Sequence, residues 1–192
     1  PETVRCGMQI ITDETERLSG MVEELLDFSR MQSGKLTLHF ETVDVAAIVR
    51  ETVLLFRERA ENKGIHLQFV GKDALPPISG DADRLRQVFI NVLDNAIKYS
   101  DSGDTVRVDY AAVGKTVQVV IGDTGNGISA ADLPQVKMKF YKANNTRPGS
   151  GIGLAVADEI IEGHGGMLDI YSKEGFGTSV IITLPTEQKE QV

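Results

Sequence analysis

The sequence predicts an α+β chain: an α/β sandwich, with a mixed sheet covered by helices on one face, preceded by a long N-terminal helix. Three observations predict it. An apolar stripe of heptad spacing runs through the first 30 or so residues, period-two stretches alternate with three amphipathic helical stretches after residue 35, and two glycine-rich turns interrupt that alternation. Residues 1–34 read as a helical arm, 35–186 as the folded domain and 187–192 as a polar tail.

The stripe consists of Val4, Met8, Ile11, Thr15, Leu18, Val22, Leu25 and Ser29, alternating steps of four and three. That is a coiled-coil or bundle seam. Met21 and Phe28 widen it toward a bundle, although an amphipathic helix packed on its own domain would show a similar pattern. Ser33-Gly34 supplies a stop. Leu36 to Phe40 alternates as a short strand, and 45–60 reads as a helix with Val45, Ile48, Val49, Thr52, Leu55 and Phe56 inward. His66 to Val70 is a second strand. Pro76, Pro77 and Gly80 mark a loop, and Asp81 is placed to cap a helix ending near Tyr99. Strands over 105–113 and 116–123 meet through Gly114-Lys115 as a hairpin. From Gly125 to Gly149 the sequence turns polar and glycine-containing, long for a connection in a compact domain and therefore expected to be a functional lid. A helix over 151–162 and two strands flanking 173–177 close the domain.

Composition narrows the function. The 192 residues carry a formal net charge of -8, which disfavours nucleic acid and anionic lipid as partners. A phosphate-bearing ligand must then be captured by local amides, cations or metal. Cys6 is the only cysteine, so no intrachain disulfide forms and a reducing compartment fits. No apolar run approaches the ~18 residues that a membrane span needs. The opening at Pro1 without Met reads as a piece of something longer.

Chemistry concentrates at three places. On the helix from Asp81, Leu85, Val88, Phe89, Val92, Leu93 and Ala96 form one face, and Arg84, Gln87, Asn91, Asn95 and Lys98 form another. A solvated stripe favours Glu, Lys and Arg, whereas Asn is a weak mid-helix residue, so two at i and i+4 ask for a reason. Their carbonyl oxygens suit Mg²⁺, and Lys98 one turn on could neutralise a phosphate. Next, Asp123-Thr-Gly125-Asn-Gly127-Ile128 leaves a strand that reads as buried. Its carboxylate can accept from a purine amine, with the glycines allowing close backbone approach, although a hairpin or helix-entry turn uses the same residues. Third, Gly149-Ser150-Gly151-Ile152-Gly153-Leu154 opens a helix whose unpaired amides make an anion site. No strand precedes these glycines and no Lys-Ser or Lys-Thr follows them, which excludes the dinucleotide fingerprint and the P-loop.

Taken in order, Asn91-Val-Leu-Asp-Asn95-Ala-Ile-Lys98-Tyr99, Asp123-Thr-Gly-Asn-Gly127, Lys139-Phe-Tyr-Lys142 and Gly149-Ser-Gly-Ile-Gly-Leu-Ala155 resemble the N, G1, F and G2 boxes of sensor histidine kinases. These belong to the ATPase superfamily shared with gyrase, Hsp90 and MutL, with its Bergerat-type ATP-binding fold. Residues 17–35 resemble the second dimerisation helix of the same kinases. The resemblance implies an ATP-dependent protein histidine kinase that uses Mg²⁺. Asn95, with Asn91, would hold the metal, Lys98 would contact phosphate, and Tyr99 would pack on base or ribose. Asp123 would hold the adenine amine, helped by Thr178 through a water. Tyr141 and Lys142 would approach from the lid, and Gly151, Gly153 and Leu154 would offer amides to the phosphates. Lys98 and Lys142 would be the catalytic cations. Implied partners are a dimerisation helix carrying the acceptor histidine, a homodimer mate and a response-regulator receiver domain, in the cytoplasmic portion of a membrane-bound sensor.

The chain departs from the family in its lid. Val136-Lys137-Met-Lys-Phe140-Tyr-Lys142 has Lys137 where the family has an apolar anchor, and Lys142 where it has Arg. Lysine reproduces the charge of a bidentate arginine and not its fork. The lid between Lys142 and Gly149 is also short, and Pro148 stiffens it. None of His39, His66 and His164 precedes an acidic residue, as the family's acceptor does. Two other readings stay open: a nucleotide-binding and dimerisation module without catalytic competence, and an anti-sigma-type serine kinase, against which the heptads argue.

Overall fold

In the computed structural model the described residues are 37–72, 74–141 and 151–186, with Met8, Thr15 and Val22 of the N-terminal segment. These last three, spaced by seven along the predicted seam, are helical and exposed. The rest of the seam, the stop at Ser33-Gly34 and the tail 187–192 lie outside the described residues.

Among the described residues from 37 onward there are two sheets and three α-helices. Strand β1 (Glu41–Val43) pairs antiparallel with β3 (Ile78–Gly80). Strands β2 (His66–Phe69), β4 (Thr105–Val113), β5 (Thr116–Asp123), β6 (Met167–Lys173) and β7 (Gly177–Pro185) form a sheet of order β2-β4-β5-β7-β6. It is mixed: β2 runs parallel to β4, and the other pairs are antiparallel. In β4 and β5 the buried Val106, Val108, Tyr110, Val117, Val119 and Ile121 alternate with more exposed residues, so one face meets the helices and the other meets solvent. Val120, read from the sequence as part of a buried strand, lies on the outer face and is half-buried.

Helix α1 (Val45–Asn62) starts at Asp44, whose side chain accepts from Ala47 N at 3.1 Å. It buries Val45, Ile48, Val49, Thr52 and Phe56 as expected, but Val53 goes inward in place of Leu55, which is exposed. Helix α2 (Ala82–Tyr99) starts at Asp81, which accepts from Arg84 N at 3.1 Å. Its apolar face, Leu85, Val88, Phe89, Val92, Leu93 and Ala96 with Ile97, is buried in the core. Its C-terminus is closed by the Lys63 ammonium, which donates to the carbonyls of Ile97, Lys98 and Ser100. A cation at that end also complements the helix dipole. Helix α3 (Gly153–Gly163) packs on α2 and on β6 and β7.

Two strand assignments change. The first strand sits at 41–43 rather than 36–40, and the stretch read as a loop contains β3. Three-residue strands carry too little alternation to register in sequence, and their pairing is a tertiary contact. Among the described residues no helix is long and apolar enough to cross a membrane.

Candidate functional site

A cavity of about 220 Å³ opens between α2, the end of β5 and the start of α3. Helix α2 turns Asn91, Asn95, Lys98 and Tyr99 toward it. The rest of the polar stripe does not reach it: Arg84 Nη1 donates to Gln87 Oε1 at 2.9 Å, and neither residue lines the cavity. Asn91 Nδ2 donates to Gly153 O at 3.0 Å, which ties α2 to the first turn of α3 and leaves Asn91 Oδ1 as a free acceptor. Asn95, one turn on, makes no side-chain hydrogen bond among the described residues. Two carbonyl-type oxygens one turn apart suit a hard, oxygen-seeking cation that completes its shell from water and phosphate. The Lys98 ammonium sits 5.1 Å from the centre of the Tyr99 ring.

Asp123 ends β5 inside the cavity wall. Gly125 N and Thr178 N both donate to its Oδ1, at 3.0 and 3.2 Å, and none of the described hydrogen bonds uses Oδ2. Burial pushes its carboxyl above the ordinary 3.8. The two amides pull the other way without prevailing, and the charge of Asp104 adds to the rise. Thr178 lies opposite Asp123 in the β5–β7 pairing, and Ser172 lies opposite Thr178 in β6–β7. Ser172 Oγ accepts from Ile128 N at 2.8 Å, donates to Gly177 O at 2.9 Å and lies 2.9 Å from Thr178 Oγ1. A hydroxyl has one proton, so with that of Ser172 on Gly177 the Thr178 hydroxyl is the donor between the two, and its lone pairs are left for the cavity.

The glycines after Asp123 have neighbours that the sequence did not reveal. A Cβ at Gly125 would stand 2.5 Å from Tyr99 O, and Gly125 is buried behind the wall rather than lining it. At Gly127, with φ +66°, a Cβ would stand 2.1 Å from Lys173 O. These glycines let the loop close against α2 and β6, and only Gly127 also faces the cavity.

Another side of the cavity is built by the start of α3. Its N-cap position is Ile152, a buried residue that caps nothing with its side chain, so the first-turn amides of Gly153 and Leu154 are presented without a side-chain acceptor. Gly151, at φ +74°, turns the chain into the helix. The first half of the lid contains a 3₁₀ turn, Leu133–Gln135, and Val136 directly after it lines the cavity. Tyr141 lines the cavity, and its hydroxyl donates to Asp132 Oδ1. Ser129 Oγ donates to Asp132 Oδ2 at 2.6 Å. The Ser129 and Tyr141 hydroxyls hold the Asp132 carboxyl below its usual range, and the Asp132 carboxylate holds the Tyr141 phenol above its own.

A family description, "Histidine kinase-, DNA gyrase B-, and HSP90-like ATPase", matches residues 80–188, more than half of the chain. The chain belongs to this ATPase family. It is 34% identical over 189 residues to the "Sensor protein SrrB" of Staphylococcus aureus (strain NCTC 8325 / PS 47), covering 96% of this chain and 32% of SrrB. The chain thus spans about a third of the length of the curated relatives it matches. Among solved structures it resembles full-length ShkA in complex with AMPPNP, with TM-score 0.83, 25% identity, and coverage of 96% of this chain and 39% of that one. It also resembles the histidine kinase ThkA in complex with the response regulator protein TrrA, with TM-score 0.75, 25% identity, and coverage of 97% and 52%.

In this ATPase-family domain the cavity gathers Asn91, Asn95, Lys98, Tyr99, Asp123, Gly127, Ile128, Tyr141, Gly151, Gly153, Leu154 and Thr178. Ile152 serves the core instead. Lys142, Gly149 and Ser150 lie outside the described residues. The sequence reading missed the apolar wall of Val92, Ala96, Ile121, Val136, Ile170 and Val180, and also Asp94 and Asn126. An apolar residue in a strand or helix looks the same in sequence whether it packs on protein or on a flat ring. Ser172 was missed because one serine in a strand carries no pattern.

Proposed function

We propose that the chain is the ATP-binding kinase part of a sensor histidine kinase, which binds Mg·ATP and transfers the γ-phosphate to a histidine for relay to a response-regulator aspartate. The observation that carries this is the convergence, on one apolar-walled cavity, of a half-satisfied carboxylate, an asparagine pair and an uncapped helix N-terminus. Asp123 Oδ2 accepts from the purine amine, with Thr178 lone pairs beside it through a water, and Tyr99 and Tyr141 flank base and ribose. The amides of Gly151, Gly153 and Leu154, with Lys98 and Lys142, meet the phosphates. Asn91 and Asn95 hold Mg²⁺, which supplies charge neutralisation on the phosphate oxygens when bound. The acceptor imidazole nitrogen attacks the γ-phosphorus in line, the bond to the β,γ-bridging oxygen breaks, and ADP leaves. The names of the relatives support a sensor kinase working with a response regulator; in this reading it acts in the cytoplasm beneath a membrane-bound sensor.

Residues 1–34 serve as a dimerisation segment, 35–186 as the ATP-binding domain and 187–192 as a tail in this reading. The outward Met8, Thr15 and Val22 fit a seam completed by an acceptor helix and a homodimer mate. The chain's own histidines are poor acceptors. His164 is buried with both ring nitrogens engaged, to Ile160 O and Asp81 N, and neither His39 nor His66 is followed by the acidic residue that the family's acceptor precedes. The test is acid-labile label from γ-labelled ATP, on the chain alone and mixed with a dimerisation helix carrying a histidine followed by an acidic residue. Label only on the added helix is expected. Label on His39, His66 or His164 would overturn the acceptor assignment, and no label despite ATP binding would make the chain a nucleotide-binding module.

A further inference from the structure

Position 137 departs from the apolar lid anchor of the resembling kinases, and the structure shows what stands there instead. The Lys137 ammonium lies 2.8 Å from Asp158 Oδ1 on α3 and also donates to Leu168 O on β6, an edge strand of the sheet. Two residues on, Lys139 Nζ lies 3.4 Å from Glu159 Oε2. Two lid ammoniums therefore meet adjacent carboxylates on the helix whose N-terminus borders the cavity. Asp158 is 21% exposed and Lys137 36%, so the first pair is more sheltered than an ordinary surface pair. Phe140 N donates to Gly151 O at 3.1 Å, which fastens the same stretch to the entry of α3. The residues on either side of this anchorage, Val136 and Tyr141, are cavity wall.

We propose that Lys137 is a positioning residue: with Asp158 and the β6 carbonyl it forms a polar latch, seconded by Lys139–Glu159, that holds the lid on α3 before nucleotide arrives. It does not serve the phosphates, because its ammonium is committed to the latch. Holding Val136 and Tyr141 in place beforehand removes part of the ordering that binding would otherwise require. The affinity it adds is electrostatic and therefore screened by salt, unlike that of an apolar anchor. This rests on the cavity being the ATP site.

The test is ADP and ATP affinity by calorimetry at low and high salt, for the unaltered chain, Lys137→Met, Asp158→Asn, the double variant and Lys137→Arg, with apo melting measured alongside. Each single truncation is expected to weaken binding about fivefold at low salt with little change in melting. The double variant should be no weaker than either single, Lys137→Arg should stay close to the unaltered chain, and the ratio of variant to unaltered affinity should approach one at high salt. Singles that bind like the unaltered chain at low salt, or truncations whose effects add and ignore salt, would overturn the latch alone. An unaltered chain that binds neither nucleotide would overturn the ATP reading and the latch with it.

Discussion

Asp81 and Asp123 both leave strand ends in this domain, and the fold treats them in opposite ways. Asp81, following β3, gives one carboxylate oxygen to Arg84 N and the other to His39 N at 2.9 Å, while its own amide donates to His164 Nε2 at 2.9 Å. Burial alone would raise its carboxyl. The two amides, with the Arg84 guanidinium and His164, more than reverse that and hold it below the ordinary 3.8. Asp123, ending β5, has two amides on one oxygen and none of the described bonds on the other, and burial holds its carboxyl above the same value. A carboxylate completed by its own chain is a structural part. One left half-completed in an apolar wall is open to a donor that the described residues do not supply.

The largest expected effect sharpens this contrast on the ligand side. At nucleotide near 100 times its dissociation constant, linkage gives about 2.7 kcal/mol of stabilisation, or roughly 5 to 10 °C in melting temperature. Asp123→Asn should remove most of that shift while leaving the apo domain as stable as before or more so. The sign follows from the raised carboxyl. Its contribution to stability is present below 3.8 and lost as pH rises through the folded value, so at neutral pH the ionised group burdens the apo fold and an amide does not. A nucleotide shift retained in the variant, measured by thermal melting, would place the base elsewhere. An apo domain that unfolds would make Asp123 structural and break the comparison.

Asp81→Ala should behave in the opposite sense. It removes an N-cap and leaves His39 N without its acceptor, for a loss of about 2 to 3 kcal/mol of stability. Well below its melting point the variant should bind ATP within about twofold of the unaltered chain, since Asp81 does not line the cavity. Denaturant unfolding and a nucleotide titration together check it. A variant as stable as the parent but defective in binding would reverse the two roles.

The two carboxylates also show what the sequence makes legible. Asp81 was readable as a cap because capping is local: acceptor and donor are three residues apart. Asp123 was readable as a candidate site because its carboxylate, the asparagine pair and the glycine run occur in a fixed order that resembles a known family. The helices and the long hairpin announce themselves by period. Contacts that link distant residues did not. The β1–β3 pair joins residues 35 or more apart through three-residue strands, Gly125 is needed for the carbonyl of Tyr99, and Lys137 finds Asp158 only after the lid folds onto α3. Leu55, read as inward from its spacing, ends up exposed while Val53 is buried, because a three-to-four-residue stripe fixes a helix face only to within about one position.

The smallest effect concerns the third group at the Asp81 corner. His164 closes α3, is buried, and lies against Phe40 with ring centres 5.2 Å apart. Its Nδ1 donates to Ile160 O at 2.7 Å and its Nε2 accepts from Asp81 N, an arrangement that only the neutral ring can make. Burial lowers its pKa from the ordinary 6.5, and the pull of the Ile160 carbonyl and the Asp81 charge in the other direction does not cancel this. The unfolded chain therefore binds a proton before the folded chain does. Stability from this group is fully present above 6.5 and declines as pH falls from there toward the depressed folded value. Asp81 extends the decline in the same direction at lower pH, as pH falls from 3.8 toward its own lowered value, whereas Asp123 works against it. For one proton the slope is at most about 1.4 kcal/mol per pH unit. Urea midpoints taken between pH 7.5 and 5.5 should fall for the parent chain and stay flatter for His164→Gln. Equal slopes in the two proteins would mean that the His164 ring accepts a proton as readily folded as unfolded, and the Asp81 corner would then be held together without it.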